Sequence, residues 1–279
     1  MTDRPERPEH LIDTSSAARR DGEVLRSASN PRFRELLKLT QLARERRKRG
    51  VCVIEGEHLL EAYRDRHGAA LAVYCCEGAR PTSLRGDEPA IELSERLFRQ
   101  VSQVANGRGP IALVPTPAPS LPAVLDEDTV YLDGIQDPGN VGTILRSCAA
   151  AGIPRVVTSA DTAFCWSPKV LRAGMGAHFA LSIHEGHPIG TVLARARLAI
   201  WSTRLDASLP IYEAELEKPS LWLFGSEGEG LSAGAREWPD ATAVKIPMAA
   251  GVESLNVGAA VAICLFEQRR RRHAGRPDG

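Results

Sequence analysis

The chain has 279 residues, of which 43% are hydrophobic and 25% charged, a composition typical of folded proteins with one large domain or two modest ones. It carries 35 basic and 35 acidic residues, so the formal net charge is zero, and affinity for nucleic acid would have to come from local clusters of basic side chains. The charged, proline-containing start and the lack of an apolar run of about 18 residues argue against a secreted or membrane-spanning class, so we expect a cytoplasmic protein without a membrane partner.

The first half of the chain alternates short apolar runs with helical patterns. Residues 1–25 are polar, charged and without hydrophobic period, which predicts a disordered arm. From Pro31 apolar residues recur at steps of three and four among basic ones, which predicts a helix that includes Leu42. Further patterns predict strands at residues 51–54, 71–76 and 111–114 and helices at residues 57–63 and 94–104. Residues 26–115 are therefore predicted to form a small α/β domain.

A proline-rich segment follows, with Pro115, Pro117 and Pro119 and then Pro122. Three prolines in five residues cannot join a helix or a central strand, and they stiffen a spacer. We therefore predict a linker over residues 116–127, a second domain over residues 128–272 and a tail over residues 273–279.

In the second domain, strands and helices alternate regularly. The patterns predict strands at residues 129–132, 155–158, 179–183, 199–203, 221–224 and 243–246, and helices at residues 141–151, 168–173, 189–198, 232–237 and 255–271. Such alternation is typical of a parallel sheet covered on both faces, and ligands of these sheets bind at loops beyond the carboxyl ends of the strands.

The six cysteines indicate no metal or disulfide chemistry. They form no Cys-x-x-Cys pair and stand beside no histidine at metal-ligand spacing, and most lie in apolar runs, where a buried thiol behaves as a small hydrophobic side chain. We expect neither disulfides nor zinc, and no other metal.

Three loops of the second domain have unusual sequences. In the first, Asp137-Pro-Gly-Asn140 turns the chain; Asn140 is predicted to cap the next helix, on which Arg146 lies. A capped helix with an exposed arginine is also common in proteins that have no site there.

The second loop is a glycine-dense turn, Gly225-Ser-Glu-Gly-Glu-Gly230, directly after an apolar strand. Glycines let a ligand approach the backbone closely. The turn lacks the Gly-Lys-Ser/Thr ending of a nucleotide-triphosphate loop, and its glutamates Glu227 and Glu229 would repel phosphate. A ligand without phosphates, such as one with adenosine hydroxyls or a positive charge, fits this turn better.

The third loop joins Ile246-Pro-Met248 to Ser254-Leu-Asn-Val257. Proline ends the preceding strand, and either Ser254 or Asn256 can cap the terminal helix.

Together, in this order, the loops resemble the three motifs of the SpoU family, RNA ribose 2′-O-methyltransferases of the SPOUT superfamily. The resemblance covers about residues 129–268. Residues 167–177 are similar to the family's connecting segment, and the first half, with Ile54-Glu-Gly-Glu-His58, resembles its small substrate-binding domain. The fold class implied is α/β, a SPOUT-type knotted parallel-sheet domain preceded by a small α/β substrate-binding domain.

The resemblance also implies the site. Gly225, Ile246 and Leu255 would contact S-adenosylmethionine in the knot. The reacting site would be built from five further residues, Asn140, Arg146, Glu227, Ser254 and Asn256. The expected partners are RNA, ribosomal more than transfer RNA, and a second copy of the chain in a homodimer. Gly174 and Gly258 depart from the family, which often has serine at both positions.

Arg146 is the residue whose role needs most argument. The family's arginine has been cast as the base that deprotonates the ribose, but arginine stays protonated under almost all protein conditions. We therefore expect Arg146 to orient the hydroxyl or a phosphate and to stabilise the developing alkoxide. Water, phosphate or a neighbour such as Glu227 would take the proton.

Basic side chains are concentrated in two segments. Nine lie between Arg26 and Gly50, against two glutamates, and four form the run Arg269–Arg272. Ordinary solvated helix faces also carry such charges, but beside RNA-related motifs we favour a phosphate-contacting role.

Three other functions stay open. A SPOUT enzyme could methylate a base instead of a ribose, although the Asn140–Arg146 loop and Asn256 argue against this. A non-catalytic RNA-binding or ribosome-associated module could keep the fold, although Arg146 and Glu227 are both present. A dinucleotide-dependent oxidoreductase would need a Gly-x-Gly-x-x-Gly turn, which no strand of the second half leads into.

Overall fold

The structure is a computed structural model, and it describes residues 24–81, 84, 88–104 and 107–273. It divides into two compact units. The first comprises the described residues up to Pro117 with Trp166–Pro168, and the second comprises Ala118–Cys165 and the described residues from Lys169 onward.

The first unit is a mixed sheet with helices. In chain order its elements are β1 (Val24–Leu25), α1 (Pro31–Gln41), α2 (Ala43–Arg49), β2 (Val51–Glu55), α3 (Glu57–His67), β3 (Ala72–Cys76), β4 (Ala90–Leu93), α4 (Glu95–Val101) and β5 (Ile111–Pro115). The strand order is β1-β4-β3-β5-β2, with β5 antiparallel to both of its neighbours. Its core holds apolar side chains of α1 and α4 packed on one face of the sheet.

Three predictions for this unit need correction. The predicted disordered arm included residues 24 and 25, but these form β1 and pair with β4; residues 1–23 lie outside the described residues. The helix predicted to reach residue 104 ends at Val101, where the backbone of Ser102 is extended, and β4 itself was not predicted. Leu42 does not continue the helix: its backbone is extended, with φ −109° and ψ 107°, and it separates α1 from α2 with its side chain half exposed.

The second unit is built on a seven-stranded sheet whose strand pairs are all parallel, as predicted. Its elements are β6 (Thr129–Asp133), α5 (Pro138–Ala151), β7 (Arg155–Thr158), α6 (Pro168–Gly174), β8 (Ser182–His184), α7 (Ile189–Arg195), β9 (Ala199–Thr203), β10 (Leu209–Pro210), β11 (Ser220–Gly225), α8 (Ala233–Arg236), β12 (Ala241–Lys245) and α9 (Val257–His273). The strand order is β10-β12-β9-β11-β6-β7-β8.

The central strand β11 shows why this sheet is covered on both faces. Leu221 and Leu223 belong to an apolar cluster with side chains of α7 and α8. Trp222 and Phe224 alternate with them and stack with ring centroids 5.9 Å apart, and the indole of Trp222 donates to Gln268 of α9 at 3.1 Å. Side chains of a strand alternate between faces, so the four central residues of β11, Leu221–Phe224, are apolar because both faces are covered.

Some predicted boundaries in this unit are wrong. The strand predicted at residues 179–183 begins only at Ser182, because Ala177–Ala180 forms a 3₁₀ helix. The helix predicted to reach residue 198 ends at Arg195, and the short β10 was not predicted.

The basic run at the end of α9 is bound within the chain. Arg270 and Arg271 pair with Glu267, and Arg272 pairs with Asp128. Arg272 thereby attaches α9 to Asp128, directly before β6, whereas Arg270 and Arg271 pair within α9, and the side chain of Arg270 is 62% exposed. The pairing of Arg271 and Arg272 does not support the phosphate-contacting role favoured for them.

All six cysteines are buried free thiols. The described part of the chain contains no group of three or more His, Cys, Asp or Glu side chains placed to hold a metal ion. None of its helices combines the length and apolarity that crossing a membrane requires.

Candidate active site

A cavity of about 400 Å³ lies at the carboxyl ends of β9, β11 and β12. Parallel strands bring their following loops to the same edge of the sheet, so three loops that are distant in sequence become neighbours. Its walls come from residues 203–206 and 224–231 and from single residues of the later segments, namely Arg236, Val244, Lys245, Ile246, Met248, Ser254, Leu255, Val257 and Ala260. The three residues predicted to contact the cofactor, Gly225, Ile246 and Leu255, all line it, as do Glu227 and Ser254.

The glycine-dense turn forms one wall and closes on itself. Ser226 and Gly230 exchange two backbone hydrogen bonds, of 3.1 and 2.9 Å. A Cβ added to Gly225 would lie 2.1 Å from the carbonyl carbon of Gly230, closer than any side chain can approach. The turn itself therefore requires glycine at position 225, whether or not a ligand is present. A Cβ added to Gly228, in contrast, would have no neighbouring atom within 4 Å.

Asn140 does not cap α5 as predicted. Asp137 is the N-cap, and its carboxylate accepts from the Asn140 backbone N–H at 2.8 Å. The Asn140 side chain, freed from capping, instead donates from Nδ2 to the carboxylate of Glu227 and accepts at Oδ1 from Asn256. Asn140 thus lies between the second and third motif loops.

Asn256, not Ser254, caps α9. Its Oδ1 accepts from the backbone N–H of Ala259 at 3.3 Å, which leaves Nδ2 to donate to Asn140 at 2.9 Å. Because the orientation of an amide is assigned from its partners, the cap defines the direction of the whole chain of hydrogen bonds. The chain runs from Asn256 through Asn140 to Glu227, which accepts as a carboxylate. Four of the five predicted catalytic residues therefore either take part in this series of hydrogen bonds or line the cavity.

Arg146 is the exception. It is exposed on α5, does not line the cavity, and has neither an ion pair nor a hydrogen bond with any described residue. Six residues after Asn140, it lies about 9 Å along the helix axis and about 240° around it, so the two side chains leave α5 in different directions. The prediction that Asn140 and Arg146 meet in one site is not met within a single chain.

Sequence reasoning missed one group of cavity residues. Arg204, Asp206 and Arg236 line the cavity and are joined by ion pairs. No motif marks them, because an arginine or aspartate after a strand is common in loops.

The two departures from the family have packing explanations. A Cβ on Gly174 would lie 2.5 Å from the ring of His178, so the buried imidazole fills the space of a larger residue. Burial lowers the pKa of His178 to about 4 and keeps it neutral, and its Nε2 lies 2.9 Å from the carbonyl of Cys165. Gly258 is similarly confined, with Thr143 3.2 Å from its added Cβ.

The chemistry of the cavity suits S-adenosylmethionine. Apolar side chains such as Phe224, Leu231 and Val257 offer surface for an adenine ring. Charges of both signs face the same space, with Glu227 and Glu229 acidic and three basic groups, Arg204, Arg236 and Lys245. Such a mixed wall matches a ligand that carries a carboxylate, an ammonium and a sulfonium.

Comparison with known proteins identifies the family. Residues 128–266 match the SpoU rRNA Methylase family, and residues 30–112 match the MRM3-like substrate binding domain. An uncharacterized tRNA/rRNA methyltransferase of Synechocystis is 32% identical over 91% of this chain and 96% of its own length. The 23S rRNA guanosine 2′-O-methyltransferase RlmP of Bacillus subtilis is 29% identical over 88% of this chain and 98% of its own.

A solved structure has the same fold and holds the cofactor. The S-adenosylmethionine-bound rRNA methyltransferase of Sinorhizobium meliloti superposes with a TM-score of 0.77 at 26% identity, over 89% of this chain and 97% of that one. These findings confirm the predicted fold class, with its substrate-binding domain, and the predicted cofactor. The chain belongs to the SpoU rRNA methylase family.

Proposed function

We propose that this S-adenosylmethionine-dependent RNA 2′-O-methyltransferase modifies a ribose of ribosomal RNA. The observation that carries the proposal is the chain of hydrogen bonds from Asn256 through Asn140 to Glu227, at the rim of a cavity suited to the cofactor. The RlmP relative, named for 2′-O-methylation of 23S rRNA, supports the choice of substrate.

The cofactor, when bound, supplies a methyl group on a positively charged sulfur. The residues of the protein must then hold a ribose 2′-hydroxyl in line with that methyl group and accept the proton of the hydroxyl. Asn140 and Asn256 bring amide groups to the rim, Ser254 adds a hydroxyl, and Glu227 adds a carboxylate oriented by Asn140. Fixing the reacting atoms in this way can supply up to about 7–11 kcal/mol of the barrier in favourable cases.

The position of Arg146 supports a homodimer. Its guanidinium is exposed and lies outside the cavity of its own chain. We propose that Arg146 enters the reacting site of a second copy, where it orients the hydroxyl or a phosphate and stabilises the developing alkoxide. Arginine is suited to this because it keeps its charge and offers a planar fork of donors.

Mixing two inactive variants tests the dimer. Arg146→Ala lacks the guanidinium, and Glu227→Gln lacks the carboxylate. If each site uses Glu227 of one copy and Arg146 of the other, a mixed dimer contains one complete site, and activity returns on subunit exchange. If both residues act in the same chain, the mixed dimer has no complete site and stays inactive. Light scattering would show whether a dimer exists at all.

The substrate is tested by mapping both 2′-O-methyl groups and methylated bases in total RNA from cells with and without the gene. One ribosomal ribose should lose its methyl group. Loss of a base methyl group would support the base-methylating alternative. No change in any RNA, together with intact cofactor binding, would support a non-catalytic module.

A further inference from the structure

We infer that Arg204, Asp206 and Arg236 form a clamp that positions two walls of the cofactor cavity, and that Asp206 is its central positioning residue. The inference rests on this cavity being the S-adenosylmethionine site. The three residues, called the Asp206 clamp below, belong to no motif loop of the family.

The first half of the clamp fixes the loop after β9. The backbone N–H of Arg204 donates to the carbonyl of Val244 in β12 at 2.9 Å, which holds Arg204 at the sheet edge. Its guanidinium then donates twice to the carboxylate of Asp206, from Nε at 2.9 Å and from a terminal nitrogen at 2.8 Å. A two-point contact of this kind fixes direction as well as distance.

The second half joins that loop to α8. Arg236, the last residue of α8, donates to the same carboxylate at 2.6 Å, and Arg204 donates to the Arg236 carbonyl at 3.4 Å. The cavity-lining residues that include the glycine-dense turn end at Leu231, and α8 begins two residues later. One carboxylate therefore connects the wall that follows β9 with the wall that follows β11.

The exposure of the clamp indicates a positioning role. The side chains of Asp206 and Arg236 are half exposed, at 52% and 50%, and ion pairs this accessible add little to folding stability. Hydrogen bonds from Arg204, and then the charges of both arginines, keep the pKa of Asp206 well below its ordinary value, so the carboxylate is ionised in any neutral buffer. What the clamp does maintain is the spacing of two cavity walls. A cavity held open before binding spares the ligand the cost of ordering it.

Calorimetric affinities for S-adenosylmethionine and S-adenosylhomocysteine test this inference on the full chain without RNA. Asp206→Asn and Arg236→Gln should each lower the affinity for both ligands by about three- to tenfold. The double variant should bind both ligands about as well as either single variant, because either single change already breaks the contact between Asp206 and Arg236. Asp206→Glu and Arg236→Lys keep the charges and should recover part of the affinity. Asp240→Asn, an exposed carboxylate outside the cavity, is the matched control and should bind like wild type.

Denaturant unfolding without ligand separates positioning from folding. The unfolding midpoints of Asp206→Asn and Arg236→Gln should stay close to that of wild type. Wild-type affinity in Asp206→Asn, additive losses in the double variant, or a fall in stability that parallels the fall in affinity would each overturn the clamp. If the wild-type protein bound neither ligand, the cofactor site itself would be refuted.

Discussion

The side-chain amide of Asn140 donates to the carboxylate of Glu227, 87 residues further along the chain. On its other side, Asn140 accepts from Asn256 at 2.9 Å, so one side chain of α5 is connected to the loops that follow β11 and β12. The Asn256 cap on α9 fixes the donor and acceptor sense of this connection. Helix capping and site geometry are thus coupled.

Replacing Asn140 should therefore damage catalysis more than cofactor binding. Asn140→Ala leaves Glu227 without the donor that orients it, and by analogy with the loss of one oxyanion donor we expect the methylation rate to fall by about a hundredfold. Asn140 does not line the cavity, so the affinity for S-adenosylmethionine should change by less than about threefold. Single-turnover methylation and calorimetry measure the two effects. Ser147→Ala, on the same helix, is the control. A near-normal rate for Asn140→Ala would remove this residue from the reacting site.

Glu227→Gln should reduce the preference of the protein for the methylated cofactor. The carboxylate faces the cavity, and S-adenosylmethionine carries a positive sulfonium that its demethylated product lacks. Removing the negative charge should lower the affinity for S-adenosylmethionine by about fivefold, which corresponds to the roughly 1 kcal/mol of attraction between two charges at contact in water. The affinity for S-adenosylhomocysteine should stay within about twofold. Glu237→Gln removes a charge outside the cavity and should change neither ligand. Equal losses for both ligands would show that Glu227 supports the shape of the wall instead of sensing charge.

The strands and helices of the second unit could be predicted because its sheet is buried on both faces. Val130–Leu132 of β6 and Leu221–Phe224 of β11 are continuous apolar runs, so the positions of these two strands are readable without a structure. β1 and β10 could not be predicted, because a strand of two residues carries too little pattern, and β4 was also missed. The knot was expected only from the resemblance to the family, since general topology rules argue against knots.

The cavity-lining role of Gly225, Ile246 and Leu255 came from motif position, and the geometry agrees with it. Whether Asn140 or Asp137 caps α5 could not be decided from sequence, because both residue types cap well and the choice depends on what each side chain meets elsewhere. The Asp206 clamp was missed because no motif marks its residues and because Arg236 meets Arg204 and Asp206 only through folding.

Gly225 and Gly228 should respond differently to alanine. At Gly225 the new methyl group would meet the backbone of Gly230 at 2.1 Å, so the turn must open and the cavity wall must move. We expect Gly225→Ala to lose detectable cofactor binding. Gly228→Ala has open space and should bind within about tenfold of wild type. Calorimetry, with circular dichroism to confirm folding, measures this. Normal affinity in Gly225→Ala would show that the turn can rearrange at little cost.

The basic side chains between Arg26 and Gly50 include some that are bound within the fold and others that are exposed. Arg46 is buried and donates to the Leu39 carbonyl at 2.7 Å, and Arg49 pairs with Glu35, so both serve the fold. Four other residues are exposed without a hydrogen bond or ion pair among the described residues: Arg34, Lys38, Arg44 and Lys48.

Changing these four residues to glutamine should weaken RNA binding and flatten its salt dependence by roughly one unit of slope per lost contact. Cofactor affinity should not change. Arg272→Gln is the control, because that guanidinium is only 24% exposed and already paired with Asp128, so it should not contribute to the slope. Binding of a ribosomal RNA fragment across a salt series measures both. An unchanged slope in the fourfold variant would mean that these are ordinary solvated charges.

Glu267 should make the stability of the second unit depend on acid pH. Its side chain is only 8% exposed, and hydrogen bonds from Arg270 and then Arg271 lower its pKa from an ordinary value of 4.5 to about 2. A carboxylate whose pKa is lowered by folding stabilises the folded state above its unfolded pKa, and that contribution disappears as the pH falls towards the folded value. The free energy of unfolding of wild type should therefore exceed that of Glu267→Gln by about 1–2 kcal/mol at pH 7, after allowing for the exposed partner arginines. The difference should hold down to about pH 5 and shrink between pH 4.5 and 2. Urea unfolding at fixed pH values measures it, with Glu253→Gln, an exposed carboxylate without a partner among the described residues, as the control. A difference that is the same at pH 3 and pH 7 would mean that Glu267 stabilises α9 through packing and not through its charge.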